Sequence, residues 1–292
     1  MYGATQRPGG AGRGRVGSQR GRVGVMSGAG HGPHVGSRLL SLSAGTILDV
    51  APADAVDVAA AAGFAAVGVW YDHSTWTADV ARKVAARLDH HGLIALDIEP
   101  IMLGRGDDHG EAIVDAALHV GARHVLVASR DGENQRVSDR LASLAERLTG
   151  TPVRLVLEFL PALGVRTFAQ AREIVDSVGH PALGILVDAL HLARSGSTID
   201  DVRRTPTQLL PYVQLCDAPA DLADPTVERL IHEALHGRSL PGDGSLALDE
   251  LLDAAPAADV SLEIRSAELM AAFSDPVERA RAVLASVHTT ER

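Results

Sequence analysis

Short apolar segments alternate with longer amphipathic segments from residue 39 towards the C-terminus. The apolar segments lie at residues 39–46, 65–72, 93–101, 124–130, 153–161, 183–191, 212–219 and 260–266. Because they are largely apolar rather than strictly alternating, the pattern predicts strands that are buried on both faces, as in a parallel sheet covered by helices. The segments between them place apolar residues three and four positions apart, which predicts helices. Glycines expected at helix C-termini follow several of these segments, at Gly63, Gly92, Gly121 and Gly150.

Each strand and the helix after it span about 30 residues, the size of a strand and crossover-helix unit. Eight such units predict an α/β fold, a (β/α)8 TIM barrel of about 250 residues. A doubly wound open sheet is the alternative. It would carry a glycine-rich turn after its first strand, but "SAGTILDVAP" at residues 43–52 does not match G-x-G-x-x-G. A barrel also predicts where chemistry gathers, namely at the C-terminal ends of the strands.

The N-terminal segment differs from the rest of the chain. Residues 1–37 are rich in glycine and arginine, contain no acidic residue and show no periodicity. Such a composition predicts a disordered extension at residues 1–37, followed by a single catalytic barrel domain at residues 38–292. Two interpretations of the extension stay open: its arginines contact RNA, or it is an uninformative segment that precedes a translation start at Met26. Low complexity favours the second.

Charge limits the classes of partner. The formal net charge of the chain is −10, and the segment up to Arg38 contains six arginines and no acidic residue. Without those six positive charges, the rest of the chain has a net charge of −16. A body this acidic argues against binding to a nucleic acid backbone, and we expect no DNA partner. Because Cys216 is the only cysteine, no intrachain disulfide is possible and a cytoplasmic location is expected. No apolar run approaches the roughly 20 residues that span a bilayer, so we expect no membrane partner.

Polar side chains interrupt the later apolar segments near their C-terminal ends. They are Glu158, Asp188, Gln214 and Glu263, on four consecutive predicted strands. In a closed barrel these strands are neighbours, so the four side chains should converge. Three carboxylates and an amide oxygen favour Mn2+ or Mg2+ over Zn2+. The alternative for each acid is that it caps the following helix or pairs with an arginine; for four together, the cost of burying unpaired charge favours the metal site.

Five short motifs resemble the xylose isomerase-like barrels, a family that includes sugar isomerases and epimerases, hydroxypyruvate isomerases, dehydroshikimate dehydratases and endonuclease IV enzymes. The motifs are "LEFLP", "VDALHLARSG", "YVQLCDAP", "GRSLPGDGSLALDELL" and "SLEIRS". The resemblance implies that Glu158, Asp188, Gln214 and Glu263 are metal ligands and that His191 contacts a substrate oxygen. Many of the family's epimerases have His at the position of Gln214, whereas hydroxypyruvate isomerase-like and dehydroshikimate dehydratase-like members have Gln. Endonuclease IV is the poorest match, because its additional metal-binding histidines lack counterparts. The resemblance also implies a homo-oligomer.

The resemblance and the predicted metal site together indicate an enzyme that acts on a small carbohydrate-like molecule. We expect a divalent-metal-dependent isomerase or epimerase of a sugar, keto sugar or hydroxy-keto acid. In this reaction the metal stabilises an enediolate, while Glu158 and Glu263 move a proton as base and acid. The alternative is a dehydratase, a lyase in which the same groups remove water from a cyclic polyol ketone or a dehydroshikimate-like substrate. A barrel that binds ligands without catalysis is a third possibility, which the intact ligand set disfavours.

Four further residues are weaker candidates for substrate contacts. Asp217 lies just beyond Gln214, Arg238 precedes a Pro-Gly turn, Glu99 ends the third predicted strand and Trp70 ends the second. The alternatives are a surface position for Arg238, a salt bridge to a loop arginine for Glu99 and core packing for Trp70. Substrate choice is expected to depend on the loops after the first four strands. The only lysine, Lys83, falls in a predicted helix, which excludes a Schiff-base aldolase.

Overall fold

Eight parallel strands close into a barrel in chain order, and the last strand pairs with the first. The strands are β1 Leu40–Leu42, β2 Ala66–Trp70, β3 Ile94–Leu103, β4 His124–Ser129, β5 Arg154–Glu158, β6 Leu183–Asp188, β7 Tyr212–Leu215 and β8 Asp259–Leu262. Each strand overlaps its predicted apolar segment. The predicted (β/α)8 TIM barrel is therefore confirmed, and an open sheet is excluded.

The structure, a computed structural model, describes residues 38–104 and 106–289. These residues belong to one compact unit, His31–Arg292. The extension predicted at residues 1–37 lies outside the described residues, so its disorder stays a prediction and both interpretations of it stay open.

Helices cover the outside of the barrel. They are α1 Pro52–Ala62, α2 Ala78–His91, α3 Gly110–Val120, α4 Asn134–Glu146, α5 Phe168–Val178, α6 Ala189–Arg194, α7 Ile199–Arg203, α8 Val227–His236, α9 Leu248–Ala254, α10 Ala267–Ala272 and α11 Pro276–Thr289, with short 3-10 helices at Ala44–Ile47 and Thr207–Leu209. In the described part of the chain, no helix is both long and apolar enough to cross a bilayer.

Local sequence signals set the ends of α2. Its N-cap Thr77 accepts a hydrogen bond from the Val80 N–H through its side chain, and its C-cap Gly92 adopts a left-handed conformation with φ of 65°. Gly63 and Gly121 cap α1 and α3 as predicted. Gly150 does not cap α4, because that helix already ends at Glu146 and the glycine lies in the turn beyond it.

Two apolar layers hold the barrel together. The larger layer fills the space between the strands and the surrounding helices, with fully buried residues such as Leu141, Leu144 and Ile174. A smaller cluster fills the inside of the barrel and consists of Leu39, Ala66, Leu96, Leu126, Val156, Leu186 and Tyr212. Because both faces of the strands are covered, the strands are apolar over most of their length.

A bulge in β3 brings a carboxylate into the barrel. The register shifts between β2 and β3, where Val67 pairs with Ala95 but Gly68 pairs with Asp97. The extra residue, Leu96, packs in the inner apolar cluster, while Asp97 accepts a hydrogen bond from the Tyr212 hydroxyl on β7 at 2.6 Å. Strands β3 and β7 lie on opposite sides of the barrel, so this hydrogen bond crosses the interior below the strand ends.

Replacing Tyr212 with Phe should destabilise the fold more at high pH than at low pH. Burial raises the pKa of Asp97 to about 6, and the Tyr212 hydrogen bond opposes that rise. A carboxyl whose pKa is raised in the folded state loses stabilising free energy as the pH rises through that value. We expect Tyr212→Phe to lower the free energy of unfolding by about 1 kcal/mol at pH 4, where the Asp97 carboxyl is neutral, and by about 2–3 kcal/mol at pH 8.

Urea unfolding of wild type and Tyr212→Phe at the two pH values measures this difference. Tyr71→Phe is the matched control, because Tyr71 is only partly buried at the end of β2. An equal loss at both pH values would show that Asp97 does not ionise against Tyr212.

Candidate metal and substrate site

Four polar residues lie at or near the C-terminal ends of strands β5 to β8. Glu158 is the last residue of β5, Asp188 is the last residue of β6, Gln214 lies in β7 and Glu263 directly follows β8. Asp188 and Gln214 are register partners in the sheet, so their side chains share the inner face. All four residues are buried. The barrel therefore brings together three carboxyl groups and one amide.

Glu158, Asp188 and His191 form a group that can hold a metal ion. Each offers one ligand atom, and these atoms lie within 4.8 Å of one another. Asp188 caps α6, because its Oδ1 accepts the backbone N–H of His191 at 3.0 Å, and this bond fixes the start of the helix that carries the imidazole. The imidazole Nε2 lies 3.8 Å from Glu158 Oε1. His191, which the sequence suggests as a substrate contact, thus lies among the carboxylates.

Glu263 has different neighbours. Its Oε2 lies 3.2 Å from Nη2 of Arg238, and its Oε1 faces the backbone of Gly45 in the 3-10 helix after β1. A Cβ atom at residue 45 would overlap Oε1 and lie 3.0 Å from Cδ and Cγ of Glu263. The glycine therefore provides the space that this carboxylate occupies.

Gln214 supports a ligand-binding role for this cluster. Both its Oε1 and its Nε2 are buried and have no hydrogen-bond partner among the described residues. A buried amide without partners costs free energy, so a group outside the protein chain is expected to complete its hydrogen bonding or coordination. With three carboxyl groups beside it, a divalent cation fits this set of donors.

Burial and mutual repulsion shift the pKa values of the acidic residues in the site. Burial raises the pKa of Glu158 well above its usual range, and the carboxylates of Asp188 and Glu263 raise it further. Burial also raises the pKa of Glu263, although Arg238 opposes the rise. Asp188 is the exception: burial raises its pKa, but the charge of Arg238 and the hydrogen bonds from Arg238 and the His191 N–H together outweigh burial and lower it. A cation bound among these groups would relieve the repulsion and keep them ionised.

The imidazole of His191 is neutral at physiological pH. Burial lowers its pKa to about 4, and the nearby Asp188 carboxylate offsets only part of that effect. A neutral imidazole can coordinate a metal or hydrogen-bond to a substrate oxygen.

A cavity of about 340 Å3 opens above the acids. Its wall is mainly apolar, and much of it comes from the loop at residues 160–163 after β5 and from α8 after β7. Leu160, Pro161, Leu163, Leu230, Ile231 and Leu235 belong to this wall. Substrate choice was expected to depend on the loops after β1–β4, whereas the later half of the barrel supplies this part of the wall.

Three of the weaker candidates line the cavity. Trp70 and Glu99 contribute to its wall, and Oε1 of Glu99 is buried without a hydrogen-bond partner in the described residues. Arg238 also borders the cavity, but its guanidinium is directed at the acids. Burial raises the pKa of Glu99 well above its usual range, and repulsion from Asp97 adds to the rise.

Asp217 does not line the cavity. Its Oδ1 accepts the N–H groups of Ala218 and Leu246, and its Oδ2 accepts the N–H of Gly242. The backbone of the loop at residues 239–246 therefore uses both oxygens, and the predicted substrate contact is corrected to a loop-organising role.

Two arginines on the cavity wall were not singled out from the sequence. Arg130 follows β4 and Arg265 lies two residues beyond Glu263. Both arginines come just after a strand, as Glu263 does. Their position in the sequence therefore also predicts a location near the site. Together they add two guanidinium groups to a cavity wall that also carries Glu158 and Glu263.

The family model described as xylose isomerase-like TIM barrel matches residues 56–287. The chain belongs to this family. A 3-dehydroshikimate dehydratase of Pseudomonas putida is 27% identical over 207 residues, covering 65% of this chain and 32% of the relative. An inosose isomerase of Halalkalibacterium halodurans is 32% identical over 114 residues, covering 38% of each chain. The chain therefore spans about a third of the length of these curated relatives.

Among solved structures, the IolI protein with a bound zinc atom has the same fold. The TM-score is 0.73 at 18% identity, and the match covers 85% of this chain and 96% of that one. The curated relatives are enzymes, an isomerase and a dehydratase, of the xylose isomerase-like type.

Proposed function

We propose that the chain is a divalent-metal-dependent isomerase or epimerase of a small hydroxy-ketone. The observation that carries this proposal is the buried group of Glu158, Asp188 and His191, whose ligand atoms lie within 4.8 Å of one another. Glu158, His191 and Glu263 line a cavity of about 340 Å3, and the buried amide of Gln214 has no hydrogen-bond partner among the described residues. The cation would be held by Glu158, Asp188, Gln214 and Glu263, with His191 beside them. The oxygen-rich set favours Mn2+ or Mg2+, while participation of His191 would favour Zn2+. When bound, a divalent cation polarises a substrate carbonyl and stabilises the negative charge of an enediolate.

Glu158 and Glu263 are the proposed acid and base. Both line the cavity, and they project from β5 and β8 on different sides of the barrel. Two carboxyl groups that approach a substrate carbon from different sides can remove a proton and return it to the other face, or to the neighbouring carbon. The first outcome is epimerisation and the second is isomerisation.

The cavity wall favours a substrate with an anionic group. A polyhydroxylated neutral sugar needs many hydrogen-bond partners, and most of this wall is apolar. Arg130 and Arg265 line the same wall and provide guanidinium groups suited to a carboxylate or phosphate. A hydroxy-keto acid therefore fits better than a neutral ketose.

The second candidate is a dehydratase of a dehydroshikimate-like substrate. The two arginines and the apolar wall favour it, since such a substrate combines a carboxylate with a ring ketone. In this reaction the same carboxyl groups would remove a proton beside the carbonyl and protonate the departing hydroxyl. The dehydroshikimate dehydratase relative, which covers 65% of this chain, also supports it.

Metal analysis and a substrate screen test the proposal. The purified full chain should bind one Mn2+, Mg2+ or Zn2+ after chelator treatment and re-addition of metal, as measured by calorimetry and elemental analysis. We expect metal-dependent conversion of a keto acid in a panel of ketoses, inosose-like ketones, hydroxypyruvate and dehydroshikimate. Mass spectrometry separates the candidates, because an isomer keeps the substrate mass and a dehydratase product has lost one water.

The outcomes differ for each hypothesis. Conversion of neutral ketoses alone would contradict the anionic substrate but keep the isomerase. If the chain bound no divalent metal and converted no compound, the enzyme proposal would be wrong and a binding function would remain.

A further inference from the structure

Arg238 contributes the only positive charge that directly contacts the proposed metal-binding carboxylates in the described part of the chain. Its Nη1 donates to Asp188 Oδ2 at 2.6 Å, and its Nη2 lies 3.2 Å from Glu263 Oε2. The side chain is 2% exposed, so the solvent screens these contacts very little. Arg238 therefore belongs to the site electrostatically even though it cannot be a metal ligand.

The three nitrogens of the Arg238 guanidinium make further contacts within the protein. Nε donates to the carbonyl oxygen of Ala234 in α8 at 3.0 Å, and Nη1 also donates to the Glu263 carbonyl at 3.3 Å. Nη2 lies 3.5 Å from Nε2 of His191. With every nitrogen directed at protein groups, the guanidinium has little capacity to bind a substrate anion. The predicted substrate contact at Arg238 is thus replaced by an internal one.

The backbone on either side holds the guanidinium in place. The N–H of Arg238 donates to the Arg265 carbonyl, so the residue is bound to the segment that follows β8. On its other side, Gly237 forms a bridge with Ser266. A side chain anchored in this way is a fixed charge rather than a mobile one, and a fixed charge alters the affinity for any ion bound beside it.

We propose that Arg238 is a positioning residue that matches the charge of the metal site to a divalent cation. Glu158, Asp188 and Glu263 contribute three negative charges, and the guanidinium cancels one of them. Two negative charges then remain for a cation of charge two. This inference rests on the proposed metal site and adds a determinant of cation selectivity.

The clearest test compares a divalent with a trivalent cation. Full-length wild type and Arg238→Gln are stripped of metal and titrated with Mn2+ by calorimetry and with Tb3+ by luminescence, for which Trp70 on the cavity wall is a sensitiser. Because Tb3+ carries one more positive charge than Mn2+, removing a neighbouring positive charge increases the affinity for Tb3+ more than the affinity for Mn2+. The ratio of Tb3+ to Mn2+ affinity should therefore rise about tenfold or more in Arg238→Gln.

Two further variants separate charge from structure. Arg238→Lys keeps the charge but loses the two-pronged contact, so its affinity ratio should stay within about threefold of wild type. Arg194→Gln is the matched control. It removes another buried guanidinium that also anchors α8, through Glu233, without contacting the carboxylates of the site. Its ratio should equal that of wild type.

Each result bears on a specific claim. An unchanged ratio in Arg238→Gln overturns the inference, and so does a tenfold rise in Arg238→Lys. The lysine variant keeps the proposal testable even if the glutamine variant does not fold. If wild type bound no Mn2+, the proposed function itself would fail. If wild type binds Mn2+ and the ratios do not respond to charge, only the role of Arg238 fails.

Discussion

Glu158→Gln should abolish metal-dependent turnover while leaving the barrel folded. The amide keeps the size of the side chain but removes one of the carboxylates that would hold the cation and one of the two groups that would move the proton. Substitution of residues that only hydrogen-bond to metal ligands already weakens metal binding by about 10–100-fold. For a proposed ligand itself we therefore expect Mn2+ binding to weaken by about 100-fold or more. Turnover of the substrate found in the screen should fall by roughly 10^3-fold.

The same variant should be more stable than wild type when metal is removed. Burial and the neighbouring carboxylates raise the pKa of Glu158 well above its usual range. A carboxyl group whose pKa is raised by folding stabilises the fold at a pH below its unfolded-state pKa. This stabilisation is lost as the pH rises through the folded-state pKa. The substituted amide carries no charge at any of these pH values. The melting temperature of metal-free Glu158→Gln should therefore exceed that of metal-free wild type, and the gap should widen from pH 5 to pH 8.

Calorimetric metal titration and thermal unfolding in a chelating buffer measure both effects. Glu146→Gln, at the exposed end of α4, is the control and should match wild type in both assays. Wild-type affinity and turnover in Glu158→Gln would contradict the assignment of Glu158. A lower melting temperature for the metal-free variant would show that the ionised carboxylate is stabilised by contacts other than those described.

The barrel could be predicted because its pattern is local. Each strand is a short apolar segment followed by an amphipathic one, and eight repeats of that pattern leave few alternatives to a closed parallel sheet. The acids of the site were predictable for the same reason. Glu158 and Asp188 end their strands, so the order of the strands alone brings them to one end of the barrel.

The internal contacts of the barrel could not be predicted in this way. The bulge that turns both Leu96 and Asp97 inward depends on how β3 pairs with β2, and a single strand pattern carries no information about that register. Asp97 also finds its partner, Tyr212, 115 residues away on the opposite side of the barrel. Such a pair becomes visible only after the sheet has closed.

Loop residues were assigned less well than strand residues. Arg238 lies 50 residues from Asp188 and 25 from Glu263, in a loop whose direction depends on α8 and on the segment after β8. Asp217 follows β7 closely, yet it turns towards the loop at residues 239–246 rather than the cavity. Sequence position placed both residues near the site, but tertiary hydrogen bonds decided which groups they contact.

Gly45→Ala should impair the site by sterics alone. Gly45 lies in the 3-10 helix after β1, outside the left-handed region of backbone conformation, so an alanine meets no backbone strain there. Its Cβ would, however, overlap Oε1 of Glu263 and approach Cδ and Cγ of that side chain to 3.0 Å. The carboxylate must move away from the position in which it faces Arg238. Because a displacement of about 1 Å in a catalytic group can cost 10²-fold in rate, we expect a loss of roughly 100-fold in turnover.

The control for this substitution is another glycine with ordinary space around it. At Gly132, the atom nearest to an added Cβ would be the Gly164 carbonyl oxygen at 3.5 Å, so Gly132→Ala should retain wild-type turnover and metal affinity. Circular dichroism and thermal unfolding should show that both alanine variants fold, because Gly45→Ala alters the position of one side chain rather than the barrel. Full activity in Gly45→Ala would mean that Glu263 tolerates displacement, and it would assign proton transfer to Glu158 without a partner on β8. A selective loss in Gly45→Ala, with Gly132→Ala unaffected, would instead tie the rate to the position of the Glu263 carboxylate.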